Sequence, residues 1–175
     1  MLRRPEREAA ALLVQLGIEG PAVDVEGVAK SLRIKVVRDV LEDGTSAMLI
    51  RQGADALIMV DSAQTKARQR FSIAHEIGHF QLHRELVFVD KQPARVNFRN
   101  ADSSLAQDPR EIEANGFAAA LLMPAAWVYA AVEKLRTSKR RPSEEQLVIS
   151  LATTFAVSEP AIRYRLLNLG LISSF

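Results

Sequence analysis

His75, Glu76 and His79 are the residues of this chain best suited to chemistry: two imidazoles four apart, with a carboxylate directly after the first, in the order His-Glu-Ile-Gly-His. On an α-helix this spacing leaves the rings about 40° apart in rotation and about 6 Å apart along the axis, so both can reach one metal ion. Glu76 lies about 100° round from His75, where its carboxylate can act as general base towards an activated water without being a ligand. A lone histidine on an apolar helix face is more often a hydrogen-bonded core residue. Two at i and i+4 with an acid between them favour a metal site.

Catalytic zinc takes three protein ligands and leaves a fourth position open. The chain has no cysteine, so the third ligand must be a histidine or a carboxylate. The remaining histidine, His83, would sit about 12 Å along the axis from His75, too far to share the ion, and is expected to pack or hydrogen-bond near the helix end. Downstream, Glu111 and Glu113 begin another helix and point about 200° apart, so only one can face the ion. Glu111 shares its face with Asn115, Ala118, Ala119 and Leu122, the side expected to pack on the histidine helix. Glu111 is therefore preferred, with Glu113 as the alternative and a solvated helix-start carboxylate as the plain reading of either. Asn115, one turn on, is placed to accept a hydrogen bond from the outer N–H of a ligand histidine. Tyr129 and Tyr164 read as core or rim residues of amphipathic helices, and no oxyanion donor is assigned.

The elements that must hold these side chains can be traced in order. The first 20 residues imitate a secretory leader, but Glu6, Glu8 and Gln15 interrupt its basic and apolar parts, so an amphipathic helix with Pro5 in its first turn is expected instead. Asp24 caps a helix over Val25 to Leu32. The apolar period then changes, giving strands over Ile34 to Val40, Ala47 to Ile50 and Ala56 to Val60, separated by turns at Leu41 to Gly44 and Gln52 to Asp55. Connections this short predict an antiparallel sheet, and Ala56 to Val60, if it forms an edge, could pair with an extended substrate.

Thr65 to His83 is the site helix, with Phe71, Ala74, Gly78 and Leu82 as its apolar stripe and the histidines facing inward. Gly78 lowers helix stability by about 1 kcal/mol relative to alanine, which points to a packing or access reason, such as close approach of a strand or a substrate backbone. Residues 84 to about 109 carry no clear period, as expected of a lid, a binding loop or disorder rather than a plain connector. Helices follow from Pro109 to Met123 and from Ala125 to about Leu135, then a basic connector, Thr137 to Arg141. Ser143 and Gln146 form a capping box for a helix through Phe155, Ser158 caps the last helix and Gly170 ends it.

Composition sets wider bounds. With 175 residues, 48% apolar and 25% charged, the chain can bury one good core. No apolar run approaches the roughly 20 residues of a membrane span, so no membrane partner is expected, and the absence of cysteine fits a reducing, cytoplasmic setting. Net charge is +2, yet residues 134–175 hold seven Lys/Arg against three Asp/Glu.

Three segments, RQRFSIAHEIGHFQLH (Arg68 to His83), EIEANGFAAALLMP (Glu111 to Pro124) and the ending LATTFAVSEPAIRYRLLNLGLI, together resemble the ImmA/IrrE family of bacterial and phage metallopeptidases. The gluzincin peptidases take their third ligand from the Glu of an ExxxD or ExxxN pattern, which Glu111 to Asn115 fits. With the elements traced above, the expected fold is α+β: a small three-stranded antiparallel sheet on a mostly helical zincin-like domain, residues 1–135, with a helix-turn-helix-like pair in 136–175. The resemblance implies a zinc endopeptidase cleaving a helix-turn-helix repressor, which derepresses genes of a mobile element or a stress response. Sensing, which some members assign to an extra C-terminal domain, would then lie in a partner or in the peptidase itself. The expected site is His75, His79 and Glu111 around Zn2+, with Glu76 taking and returning the proton; manganese, iron or cobalt also suit such a ligand set. The rival reading is a DNA-binding regulator with a vestigial metal site, contacting DNA through Arg163 and Arg165 of the last helix.

Overall fold

A computed structural model describes residues 3–42, 44–52, 55–83, 108–138 and 141–173. The site helix is α3 (Lys66–Leu82), and everything else in the fold can be placed by what it does to α3. Its start is fixed by Thr65, whose hydroxyl accepts the Arg68 N–H, a local cap that satisfies one of the orphan donors of the first turn.

On one side lies a sheet of β1 (Ile34–Asp39), β2 (Ala47–Gln52) and β3 (Asp55–Asp61). Alternation decides its inner face: Ile34, Ala47, Leu49, Ala56, Ile58 and Val60 are buried, while Leu57 and Met59 are half-buried. Arg38 and Arg51 stand on that same face and reach α3, Arg38 through Gln69 Oε1 at 3.0 Å. Arg38 also pairs with Glu26 of α2 (Val25–Ser31).

The sheet is mixed, not antiparallel as expected. Its order is β1-β3-β2, with β1 parallel to β3 (Ile34 opposite Ala56) and β2 antiparallel to β3 (Ala47 opposite Val60). Short connections do exclude a helical crossover, but they do not force chain neighbours to pair. Residues 40–46 need to span only about two strand widths, roughly 10 Å, to leave a slot that β3 fills on its way back, which makes it parallel to β1. A second expectation falls with the first, since β3 is the central strand, paired on both sides. Among the described residues the sheet edges are β1 and β2.

On its other side α3 packs most extensively against α4 (Pro109–Leu122), and α1 (Arg4–Gln15) covers α4. Asp108 caps α4 by accepting the Arg110 N–H. Gly78 lies at the α3–α4 contact, and a Cβ there would be 3.1 Å from the Ala114 carbonyl oxygen and 3.2 Å from a Phe117 ring carbon. The glycine thus has the packing reason expected of it, and the backbone that comes close is that of a helix.

The chain then forms α5 (Ala125–Arg136), α6 (Glu144–Phe155) and α7 (Glu159–Asn168). Their ends follow the expected local chemistry. Ser143 and Gln146 form a reciprocal capping box, Ser158 accepts the Ala161 N–H, and Gly170 has φ 67°. Two arginines fasten the α6–α7 pair to the rest. Arg70 of α3 donates to the Ala156 and Val23 carbonyls at 3.0 and 2.8 Å. Arg165 of α7 donates to the Met123 carbonyl at 3.0 Å and pairs with Glu6 of α1 at 2.9 Å. One buried apolar cluster runs from Leu12 and Val28 through Ile58, Ile77 and Phe117 to Phe155 and Leu166. Among the described residues no single helix is long and apolar enough to cross a membrane. The stretch over 84–109 without a clear period lies outside the described residues except at its last two positions.

Candidate metal centre

The inward face of α3 carries His75, Glu76 and His79, all nearly fully buried at 1%, 3% and 3% exposure. Three buried polar side chains on two turns of helix are unfavourable unless something satisfies them. The two rings turn their Nε2 atoms towards each other, 3.0 Å apart. Glu111, from the first turn of α4, closes the third side, with Oε2 3.2 Å from His75 Nε2 and Oε1 3.1 Å from His79 Nε2.

These separations test whether a metal fits. Ligands about 2.0–2.1 Å from a tetrahedral zinc stand about 3.3 Å apart, and the three observed edges fall just inside that value. The donor set, two imidazole nitrogens and one carboxylate, is also of the kind that catalytic zinc takes. His75, His79 and Glu111 could hold a divalent metal ion.

The electrostatics favour the charged carboxylate. Burial pushes the Glu111 carboxyl up, but hydrogen bonds from His75 and His79, with their charges, outweigh it and hold it well below the usual carboxylate range. In the metal-free protein Glu111 is therefore a carboxylate.

Outside this triangle each histidine is held by its other nitrogen. His75 Nδ1 lies 3.0 Å from Asn115 Oδ1, the contact expected from one turn of helix between Glu111 and Asn115. His79 Nδ1 lies 3.1 Å from His83 Nδ1. His83 Nε2 in turn lies 3.0 Å from Glu113 Oε2. Glu113 is thus turned away from the Nε2 pair, and it also meets Arg4 of α1 at 3.4 Å. Sequence reasoning left Glu113 as an alternative ligand or a solvated acid and did not connect it to His83; the signal was the 75, 79, 83 spacing, which continues one more turn.

Arg51 was also missed. From the end of β2 its Nη2 donates to the carbonyls of His79, Phe80 and His83 at 3.2, 3.0 and 3.3 Å, with its guanidinium 4.6 Å from the Phe80 ring centroid. These carbonyls lie at the C-terminal end of α3, where a cation complements the helix dipole; the His79 carbonyl also accepts the His83 N–H at 3.0 Å.

Residues 29–167 match the Peptidase M78 family, described as the IrrE N-terminal-like domain. The chain belongs to that family. The match spans both faces of the metal centre and the α6–α7 pair, in agreement with the resemblance carried by the three motifs. A solved structure of a Mycobacterium tuberculosis transcriptional regulator is similar to this M78 chain with a TM-score of 0.64 at 19% identity, covering 95% of this chain and 47% of that one. At that identity the likeness concerns the fold, and the chain spans about half the length of the regulator. Comparison with curated protein sequences finds no significant match.

The two arginines of the DNA-binding alternative are occupied within the fold. Arg165 is 6% exposed and bonded to Met123 and Glu6, and Arg163 pairs with Glu144 at 2.7 Å. Arg165 presents no surface for reading a base.

Proposed function

We propose that this M78 chain is a zinc-dependent endopeptidase in which His75, His79 and Glu111 hold the ion and Glu76 is the catalytic base. The observation that carries the reading is the convergence of His75 Nε2, His79 Nε2 and the Glu111 carboxylate within 3.0–3.2 Å of one another. A divalent ion bound there supplies Lewis-acid chemistry, polarising a peptide carbonyl and making water a usable nucleophile near neutral pH.

The protein's own residues do the rest. Glu76 follows His75 on the helix and is 3% exposed, so its carboxylate works in a poorly solvated setting, where proton transfer over a short distance is effective. It accepts a proton from the attacking water at a carboxylate oxygen and delivers it to the leaving amine nitrogen. Asn115 and His83 fix the outer nitrogens of the two rings and so keep both Nε2 atoms turned inward. Substrate backbone pairs along β2, an edge strand whose Arg51 reaches the C-terminal end of α3; an extended peptide added there would run beside the site helix.

The substrate is a helix-turn-helix repressor, whose cleavage relieves repression of mobile-element or stress-response genes. Family membership in a peptidase group supports a protein substrate, and the motif resemblance supplies the repressor class. The deciding experiment incubates the zinc-loaded chain with candidate helix-turn-helix repressors from the same genome, beginning with any encoded beside its gene. One specific cut, lost in Glu76→Gln while zinc stays bound at one per chain, is expected. Equal cleavage by Glu76→Gln, or a folded wild type that binds no zinc, would sink the reading.

A further inference from the structure

The two histidines of the centre are held differently. His75 gives its outer nitrogen to a side-chain amide oxygen, that of Asn115. His79 gives its outer nitrogen to another imidazole, His83, which is backed by the Glu113 carboxylate. The His83 side chain is 8% exposed, so water is a poor substitute for it.

Proton placement fixes the sense of this chain. A ring nitrogen that binds a metal must be bare, so a ligand histidine carries its single proton on the other nitrogen. With Nε2 of His79 turned inward, its proton sits on Nδ1 and donates. His83 must then accept at Nδ1 and carry its own proton on Nε2, which an ionised carboxylate, an acceptor only, receives. Each link in the series therefore has one donor and one acceptor, and the sense is reversed at no point.

The far end is anchored from three elements. Arg4 of α1 meets Glu113 at 3.4 Å and the Leu82 carbonyl at 3.0 Å. Glu113 belongs to α4, two residues after Glu111. Arg51 of β2 holds the His83 carbonyl at 3.3 Å. Such anchoring matters because His83 is the cap residue of α3, where the helix no longer fixes the backbone.

We infer that His83 and Glu113 are positioning residues of the metal centre, accepting the His79 Nδ1–H in series and thereby locking the tautomer and ring orientation that leave Nε2 free for the ion. This rests on the metal reading above. A carboxylate-backed imidazole is a stronger acceptor than an amide, so the lock also makes His79 the more electron-rich donor of the pair.

The test measures zinc affinity of the full chain by chelator competition for wild type, His83→Ala, His83→Gln and Glu113→Ala, with metal-free melting alongside. Loss of the lock should weaken zinc binding roughly 10- to 100-fold in His83→Ala, and Glu113→Ala should weaken it in the same direction. His83→Gln, which can accept through its amide oxygen and donate through its amide nitrogen, should recover most of the affinity. A residue that merely stabilised the helix end would lower metal-free melting without moving affinity. Independently, long-range proton–nitrogen NMR of the zinc-loaded wild type should place the His83 proton on Nε2 alone, which keeps the inference decidable if His83→Ala does not fold. Wild-type affinity in folded His83→Ala, or a proton on His83 Nδ1, overturns the lock and leaves the metal reading standing. A folded wild type without zinc affinity overturns both.

Discussion

A methyl group on Gly78 would lie 3.1 Å from the Ala114 carbonyl oxygen and 3.2 Å from the Ala114 Cα, so α3 and α4 touch backbone to backbone at this point. The contact lies one residue before His79 and one before Asn115, so it sets the distance between the two halves of the metal centre. Gly78→Ala would ordinarily gain about 1 kcal/mol of helix propensity. Here the neighbours are buried main chain and the fully buried Phe117, which cannot yield without moving α4, and overpacking of this kind costs about 1–3 kcal/mol. We expect a net loss in urea unfolding together with weaker zinc binding. Gly116→Ala is the control, because its new Cβ would meet only Pro5 at an ordinary 3.5 Å; a gain of up to about 1 kcal/mol is expected there. Equal effects at the two glycines would refute the close-approach argument.

Arg165→Ala tests what the last helix is for. The side chain is buried and bonded to Glu6 and the Met123 carbonyl, so its loss leaves a partly buried carboxylate and a carbonyl without their partner. Breaking a buried pair from one side costs about 3–5 kcal/mol, and because Glu6 keeps 24% exposure a value near the lower end is expected. Arg163→Ala removes a pair at the surface and should change stability by less than about 1 kcal/mol. A DNA-reading helix predicts instead that both substitutions weaken binding in a mobility-shift assay while stability is little altered.

What the sequence made legible was what neighbouring residues decide. Asp24, Ser143 with Gln146, Ser158 and Gly170 were all readable because a cap or a left-handed stop is settled within four residues. The angular separation of Glu111 and Glu113 was readable for the same reason, and the structure brings Glu111, not Glu113, to the two Nε2 atoms. Strand pairing was not. The patterns of β1, β2 and β3 name strands and faces, but whether β3 enters beside β1 depends on how far residues 40–46 reach across the sheet, which no local pattern encodes. The same holds for His83 and Glu113. Their contact requires α3 to stop at Leu82 and α4 to lie alongside it, with Arg4 and Arg51 arriving from α1 and β2.

Arg51 should matter more than an arginine at a strand end usually does. It spans three carbonyls at the C-terminal end of α3 and stacks on Phe80, so Arg51→Met keeps much of the apolar stem but removes the guanidinium donor that ties them together. Destabilisation by about 1–3 kcal/mol is expected, and hydrogen exchange should quicken in the last turn of α3 before it does in the middle. Lysine cannot reproduce the planar fork and should rescue only part of the loss. Unchanged exchange in that turn would show that the arginine is not what holds the helix end.

Acid stability of the metal-free protein gives a separate reading of the centre. The Glu111 carboxyl is held well below its ordinary value of about 4.5, by the histidine hydrogen bonds and charges that outweigh its burial. A depressed folded-state value means that the carboxylate's contribution is fully present above the unfolded value and is lost as pH falls through the folded one. With metal removed by chelator, the urea midpoint of the wild type should therefore drop as pH is lowered below about 4.5, and Glu111→Gln, which cannot titrate, should drop less steeply over that window. Because Glu111 is 32% exposed, solvent screening tempers the size of the difference but not its sign. Parallel pH profiles for the two proteins would mean that the histidines do not hold the carboxylate in the absence of metal, and that the triangle of donors forms only around an ion.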